Sequence, residues 1–489
     1  MFTALPKTIK KRLAGLLHCV LLLGSQVLLQ PAWADPRSDL FQPDVFGTRS
    51  ALQRRVPGLT DSTGRVCLPP TSDSLTFPAA VDLALCLNPS TRSAWASARE
   101  QAAALGVAES GWLPSITATG SETRDYGEHA DINGNVSSEP QNTRDAAINL
   151  SWLLYDFGGR EGRISGARHL LDAAGATANN AVQQTVLNVV QAYYGLVAAD
   201  ELVKAAQTTE SDASRALDVA RGLSQGGAAS LADVLQAETA YDQARLASVQ
   251  ADAAARIARG TLATTLGLPA DRSFKLAADP VPATAPRLSA RIGDLMAEAA
   301  RQRPDLIAAL AQRDAAVSDI TVARAQGRPS ISLSAGRSFA DTPGVPHEND
   351  TAIGVSVTIP IFTGFNVDYS VRQAQGALDL SDANLAQIRL NVSQSVWSAY
   401  HSLDSDNQQL EVTSGLLATA EKNEEVALGR YEGGVATIVD VLTAQSAAAL
   451  ARQTRINTEL NWQVARAQLA FALGRLTSAE PLAAEAAPP

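Results

Sequence analysis

The clearest pattern in the chain is an alternation of apolar and small polar residues in its second half. Ile331, Leu333 and Ala335 alternate with Ser330, Ser332 and Ser334, and Ile353, Val355, Val357 and Ile359 alternate with Gly354, Ser356 and Thr358. The first half carries a weaker version. Ser115 to Thr123 is small and polar with Ile116 and Ala118 on one side, and Ile148, Leu150, Trp152 and Leu154 alternate with Asn149, Ser151 and Leu153. A period of two puts successive side chains on opposite faces of a strand. The pattern predicts four strands in two hairpins, with polar loops at 124–144 and 340–350. Strands of about 9–11 residues cross a bilayer when tilted. Small polar residues on the second face suit a wet lumen; an ordinary soluble antiparallel sheet is the competing reading. Four strands are too few to close a barrel, and hydrocarbon tolerates no open sheet edge. Several chains must then pool their hairpins.

The other pattern is helical. An Ala-rich segment ends near Gly111, before the first strand. No proline occurs from Gly158 to Gln225 or from Gly364 to Glu432, so each span predicts a helix of about 100 Å at about 1.5 Å per residue. A shorter helix follows each, Ser230 to Leu266 and Thr437 to Leu473. Abundant alanine lets such helices approach closely and suits a thin wall better than a thick core. Gly226-Gly227 and Gly433-Gly434 fit the left-handed backbone of a sharp helical reversal. Ser230 and Thr437 are placed to N-cap the returning helices.

These elements occur twice, in order. Pro114-Ser115-Ile116 returns as Pro329-Ser330-Ile331, Phe157-Gly158-Gly159 as Phe362-Thr363-Gly364, and Leu187-Asn188-Val189 as Leu390-Asn391-Val392. Gly226-Gly227, Asp233-Val234-Leu235 and Leu266-Gly267 return 207 residues later as Gly433-Gly434, Asp440-Val441-Leu442 and Leu473-Gly474. Duplication on this scale means two copies of one structural unit. The copies read as most alike in the wall and as differing at the reversals, where Tyr431 stands for Ser224.

The N-terminus changes the compartment. Lys7, Lys10, Lys11 and Arg12 precede an apolar stretch from Leu13 to Leu29, and Ala32-Trp33-Ala34 forms an A-x-A site. This reads as a secretory signal peptide cut after Ala34; an uncleaved anchor is the alternative. Cleavage removes those four basic residues and no acid, so the net charge falls from −10 to −14. That balance argues against nucleic acid as a partner. The predicted units are a signal peptide (1–34), an N-terminal arm (35–74), a first repeat (75–272), a Pro-rich linker (273–287), a second repeat (288–476) and a tail (477–489). Of the cysteines, Cys67 and Cys86 remain after cleavage. In an exported chain they are candidates for one disulfide, with two free thiols as the alternative.

Chemistry-bearing motifs are sparse. His129, His169, His347 and His401 are scattered without metal-ligand spacing. Asp131-Ile132-Asn133-Gly134-Asn135 with Glu139 has its glycine and its closing acid misplaced for a calcium loop. No nucleophile elbow or phosphate-cradling glycine loop has the necessary context. The chain reads as a non-enzyme without metal or cofactor, its acids lying among Arg and Gln as on solvated helix faces.

The duplicated layout, the Pro-Ser-Ile strand openings, the Phe-x-Gly helix starts and the stretch Tyr431 to Leu442 resemble the TolC-like outer-membrane efflux proteins over about residues 75–476. The resemblance implies an α+β membrane protein: a homotrimer whose pooled strands form a 12-stranded outer-membrane β-barrel, continued by a long periplasmic α-helical barrel. It implies contact with outer-membrane lipid, a periplasmic adaptor, and an inner-membrane ABC exporter or proton-driven pump. Adaptor docking falls on Gly226, Gly227, Ala228, Ala229 and Ser230 and on Gly433, Gly434, Val435, Ala436 and Thr437. Asp440 falls in a constricting carboxylate ring, and Tyr431 and Asp233 in the latch of a periplasmic gate. The sequence departs from the family pattern at Thr443, where a second ring acid is expected, and at Ala436, where a basic latch residue is expected. The implied function is an export duct. Type I secretion is favoured over drug efflux because no lipid-anchor cysteine follows Ala34. A soluble periplasmic scaffold or adaptor is the competing class.

Overall fold

A computed structural model describes residues 44–55, 74–130, 134, 136–138, 140–272, 274–277, 291–342 and 346–476. The signal peptide, Cys67, the Asp131–Asn133 segment with Asn135 and Glu139, most of the linker and the tail lie outside the described residues.

Two α-helices break at a proline before each hairpin. They are α2 (Phe77–Leu87) and α3 (Pro89–Ser110) in the first repeat, after a short α1 (Thr48–Arg55) and β1 (Ser74–Leu75). Proline takes the first helical position because its missing N–H is not needed there. The preceding Asn88 accepts the Ser90 N–H at 2.8 Å. The hairpin strands follow as β2 (Ser115–Asp125) and β5 (Gln141–Tyr155), with the small pair β3 (His129–Ala130) and β4 (Val136–Ser137) between them. Then come the long α4 (Gly159–Gln225), the return helix α5 (Leu231–Thr265) and β6 (Lys275–Leu276). The second repeat runs α6 (Ile292–Gln302), α7 (Pro304–Ala325), β7 (Ser330–Asp341), β8 (Glu348–Thr358), α8 (Asn366–Glu432) and α9 (Ile438–Ala472).

The hairpins join in one antiparallel sheet of order β2-β5-β7-β8. Its registers run from Ser115↔Ser151 to Asp125↔Gln141, through Trp152↔Leu333, to Ser330↔Thr358. The first hairpin is longer than the alternation predicted. The ladder continues into the segment read as a loop, where Glu122 and Arg144 are direct cross-strand partners and form an ion pair at 3.2 Å. Strands β2 and β8 are exposed along their whole length and leave both edges of the sheet open.

The repeat has two registers. Helices α2 and α3 and strand β2 begin 215 residues before α6, α7 and β7, whereas α4 and α5 begin 207 residues before α8 and α9. The hairpins absorb the difference. Both long helices have 67 residues and both return helices 35. The sequence pairing of Phe157-Gly158-Gly159 with Phe362-Thr363-Gly364 is therefore two residues out of step. The true equivalents are the left-handed pairs Phe157-Gly158 (φ 53°, 103°) and Gly364-Phe365 (φ 62°, 62°), which turn the chain from strand into helix.

Large side chains are concentrated where the short helices cross the long ones. Phe77, Val81, Tyr193, Tyr194, Leu262 and Leu266 form one core, completed by Ala467 and Leu476 from the second repeat. Tyr193 donates to the carbonyls of Leu75 and Ala277 at 3.4 Å, on the two edges where β1 and β6 pair in parallel. Strand β6 thus occupies part of the segment read as linker. Part of the predicted arm is also docked: Leu52 packs with Ala98, Leu105, Ile164 and Leu171. A second core gathers Val396, Leu403, Leu410, Trp462 and Leu469. Among the described residues no helix is long and apolar enough to cross a membrane.

Candidate functional site at the helix reversals

The two reversals lie at the far end of the long helices from the sheet, and their closing hydrogen bonds match, apart from an added bond from Ala229 N–H to Leu223 O at 3.2 Å in the first. At the first, Gly227 (φ 74°) follows the helix; its N–H reaches Ser224 O at 3.0 Å and Ala228 N–H reaches Leu223 O at 2.8 Å. At the second, Gly434 (φ 72°) donates to Tyr431 O at 2.9 Å and Val435 to Arg430 O at 2.9 Å. This is the Schellman closure, and only its left-handed position demands glycine. Gly226 and Gly433 have φ −77°, ordinary right-handed backbone. Ser230 and Thr437 N-cap the return helices as predicted, each in a reciprocal box. Ser230 N–H reaches Asp233 Oδ2 at 2.9 Å and Asp233 N–H reaches Ser230 Oγ at 3.2 Å; Thr437 N–H and Asp440 Oδ2 are 2.9 Å apart, Asp440 N–H and Thr437 Oγ1 3.3 Å. The reversals are thus alike in backbone; the copies differ there in side chains, with Tyr431 standing where the first repeat has Ser224.

Asp440 is a capping residue first. The Thr437 N–H and hydroxyl (2.8 Å), and more weakly the field of Arg430, hold its exposed carboxyl below the usual carboxylate range. Tyr431 is placed differently. It is 4% exposed, among Leu217, Ala220, Ala237, Ile438 and Val441, with Ala436 and Val234 at the margin. Its hydroxyl has no hydrogen-bond partner among the described residues. Burial, and then the charge of Asp233, push the phenol up from its ordinary value. The structure therefore brings Tyr431 near Asp233 without a bond between them, while Asp440 turns to its own cap. Thr443 spends its hydroxyl on Val439 O at 2.7 Å.

A further polar group was not read from the sequence. Arg452 on α9 donates to Glu424 at 2.8 Å and Glu421 at 3.2 Å on α8, and to Asp212 on α4 at 3.4 Å. Gln445 Nε2 adds a bond to Asp212 O at 2.9 Å. Glu424 is only 8% exposed, and its Oε1 has no partner. Burial, then repulsion from Asp212, push its carboxyl up to about 7 against the pull of Arg452. Glu424 is buried and Asp212 half-buried, unlike the solvated acids the sequence suggested, whereas Glu421 is exposed. A signal existed only in hindsight: Glu424, Val441 and Gln445 share the helix faces that carry buried alanines. Cys86 is disulfide-bonded; its expected partner Cys67 lies outside the described residues. No group of His, Cys, Asp or Glu among the described residues is placed to hold a metal ion.

Comparison with known proteins places this geometry. The family described as outer membrane efflux protein matches residues 80–268 and 295–475. Protein CyaE of Bordetella pertussis is 30% identical over 401 residues, covering 80% of this chain and 82% of that protein. Outer membrane protein TolC of Vibrio cholerae is 24% identical, covering 68% and 77%. Among solved structures, the outer-membrane channel OprN superposes with a TM-score of 0.73 at 22% identity over 81% of this chain and 89% of that one. CusC gives 0.71 at 22% identity over 81% and 92%. With two matched repeats, an open-edged four-stranded sheet and paired long helices, the chain belongs to the outer membrane efflux protein family and has the α+β fold of the trimeric TolC-like channel-tunnels of the Gram-negative outer membrane, with a periplasmic helical tunnel.

Proposed function

We propose that this chain is the outer-membrane duct of a tripartite export system, serving type I secretion driven by an ABC transporter. One observation carries the duct reading: a single chain holds a sheet with two open edges at one end of its 67-residue helices and two matched reversals at the other. The open edges require neighbouring copies, because unpaired backbone groups are untenable in lipid. The reversals, Gly226 to Ser230 and Gly433 to Thr437, are the docking surface for a periplasmic adaptor. An open groove lies beside them, lined by Leu235, Thr239, Leu442 and Gln445. Asp440 supplies one carboxylate per chain to a ring at the mouth, and Tyr431 and Asp233 form the latch.

Type I secretion is preferred on two grounds. The predicted mature chain starts at Asp35 rather than at a cysteine. The chain also shares 30% identity with Protein CyaE, compared with 25% for a relative described as a probable outer membrane lipoprotein, SilC. Outer-membrane fractionation with heat-modifiable migration of a trimer tests the duct; a freely soluble periplasmic protein would end that reading. A deletion strain then separates the two systems. Loss of a secreted protein with unchanged drug susceptibility supports type I secretion, and the reverse supports a proton-driven efflux pump.

A further inference from the structure

The seam between α4 and the α8–α9 pair is apolar and alanine-rich near the reversals, and one polar cluster interrupts it. Asp212 lies about 20 Å along α4 from the first reversal and Glu424 about 12 Å along α8 from the second, at about 1.5 Å per residue. The charged groups facing Glu424 are Asp212 from α4 and Arg452 from α9; on its own helix Glu421 shares the same Arg452. Three carboxylates thus surround one guanidinium. Glu424 Oε2 is satisfied by Arg452, and the buried Oε1 is not. An ionised Glu424 would leave that oxygen charged, dry and against a second carboxylate, which a packed interface tolerates poorly.

We propose that Asp212 and Glu424 share one proton across this seam, and that its release loosens the α8–α9 pair from α4, making the tunnel mouth responsive to periplasmic pH. The proposal rests on the duct reading for its consequence, though not for the proton itself. In the packed state Glu424 Oε1 carries the proton and donates to the Asp212 carboxylate. On release the O–H bond breaks, the electron pair stays on Glu424 and the proton passes to bulk water. Two like charges then face each other with one Arg452 between three acids.

The sign follows from an acid whose folded-state pKa is raised. Below the ordinary glutamate value both states hold the proton and the seam is unpenalised. As pH rises from about 4.5 to about 7 the packed state loses ground, and above that nothing further changes. One proton per chain shifts the packed-to-released ratio by at most about tenfold per pH unit.

The test uses the full-length protein in planar bilayers between about pH 5 and about pH 8. Open probability is expected to rise as pH approaches about 7 and to level off above it. Glu424→Gln, which keeps the shape of the protonated acid, is expected to remain in the low-conductance state throughout, and Asp212→Asn to flatten the profile. Infrared titration supplies a second readout: a protonated-carboxyl band that fades near neutrality and is missing in Glu424→Gln. A Glu424→Gln channel with the parent's pH profile, or no protonated carboxyl above about pH 5, overturns the proposal. If no channel forms at all, the duct reading fails, and the infrared titration still decides for or against the shared proton.

Discussion

The guanidinium of Arg160 lies 3.6 Å over the ring of Trp112 and donates to the carbonyls of Gly111 (3.1 Å), Leu153 (2.7 Å) and Leu154 (3.2 Å). It ties the end of a short helix, the end of a strand and the start of a long helix together. In the second repeat the equivalent positions hold Val367 and Gly327, and a Cβ built on Gly327 would come within 3.0 Å of that valine. A large cation stacked on a large ring has been exchanged for a small residue against none. Arg160→Met should therefore lower stability by about 2–4 kcal/mol, since three carbonyls lose charge-assisted partners, whereas Val367→Ala should cost about 1 kcal/mol. Thermal unfolding followed by circular dichroism decides; equal melting of both variants with the parent would refute the tie.

The glycines that end the return helices are under tighter constraint than those at the mouth. Gly267 and Gly474 both have φ 78°, and a Cβ there would meet Leu87 O at 2.8 Å and Gln302 O at 2.9 Å. These contacts are equivalent, as are the bonds from Asn88 Nδ2 to Thr265 O (2.8 Å) and Arg303 Nη1 to Ala472 O (3.4 Å) beside them. Gly474→Ala should cost about 3 kcal/mol or more, strain and collision together. Gly227→Ala, with nothing within 4 Å, should cost only the left-handed strain, about 1 kcal/mol. The same melting series tests the ranking.

Asp440 should keep its charge in acid. Its carboxyl is held low by the Thr437 N–H and hydroxyl, so its capping contribution is present above the ordinary aspartate range and is lost only as pH falls through a lower value. Reversal potentials across a salt gradient should show cation selectivity surviving down to about pH 4. Asp440→Asn should abolish that selectivity at every pH. With Thr443 bound to its own helix in place of a second acid, block by divalent cations should be weak. Strong block that persists in Asp440→Ala would remove Asp440 from the ring.

The disulfide at Cys86 should be detectable as a covalent link. Peptide mapping without reductant is expected to join the peptides of Cys86 and Cys67, and Cys86→Ser should lower stability by about 2–4 kcal/mol. Recovery of Cys86 alkylated without prior reduction would exclude the bond.

Much of this architecture was legible because it is periodic. Alternation marked all four strands, and the absence of proline marked both long helices to within a residue or two. Ser230 and Thr437 announced their caps because capping is a local bond between residues three apart. What the sequence hid is long-range. Asp212, Glu424 and Arg452 look like ordinary surface charge until three helices bring them together. The break at Asn88-Pro89 and Arg303-Pro304 passed unread inside an alanine-rich run. The Phe-x-Gly motif misled by two residues because a left-handed turn needs one permissive glycine, and Phe157-Gly158 and Gly364-Phe365 place it in opposite order.

Equal helix lengths in the two repeats have a mechanical consequence. A single added residue in one long helix would lower its turn by about 1.5 Å and swing it through about 100°. Because α4 matches α8 and α5 matches α9 residue for residue, the two repeats give their reversals the same reach along the helices, and a change in one helix alone would set its turn out of step with the other. Depth is then a shared dimension of the protein: all four helices must lengthen or shorten together, while the hairpins, at the other end, are free to differ.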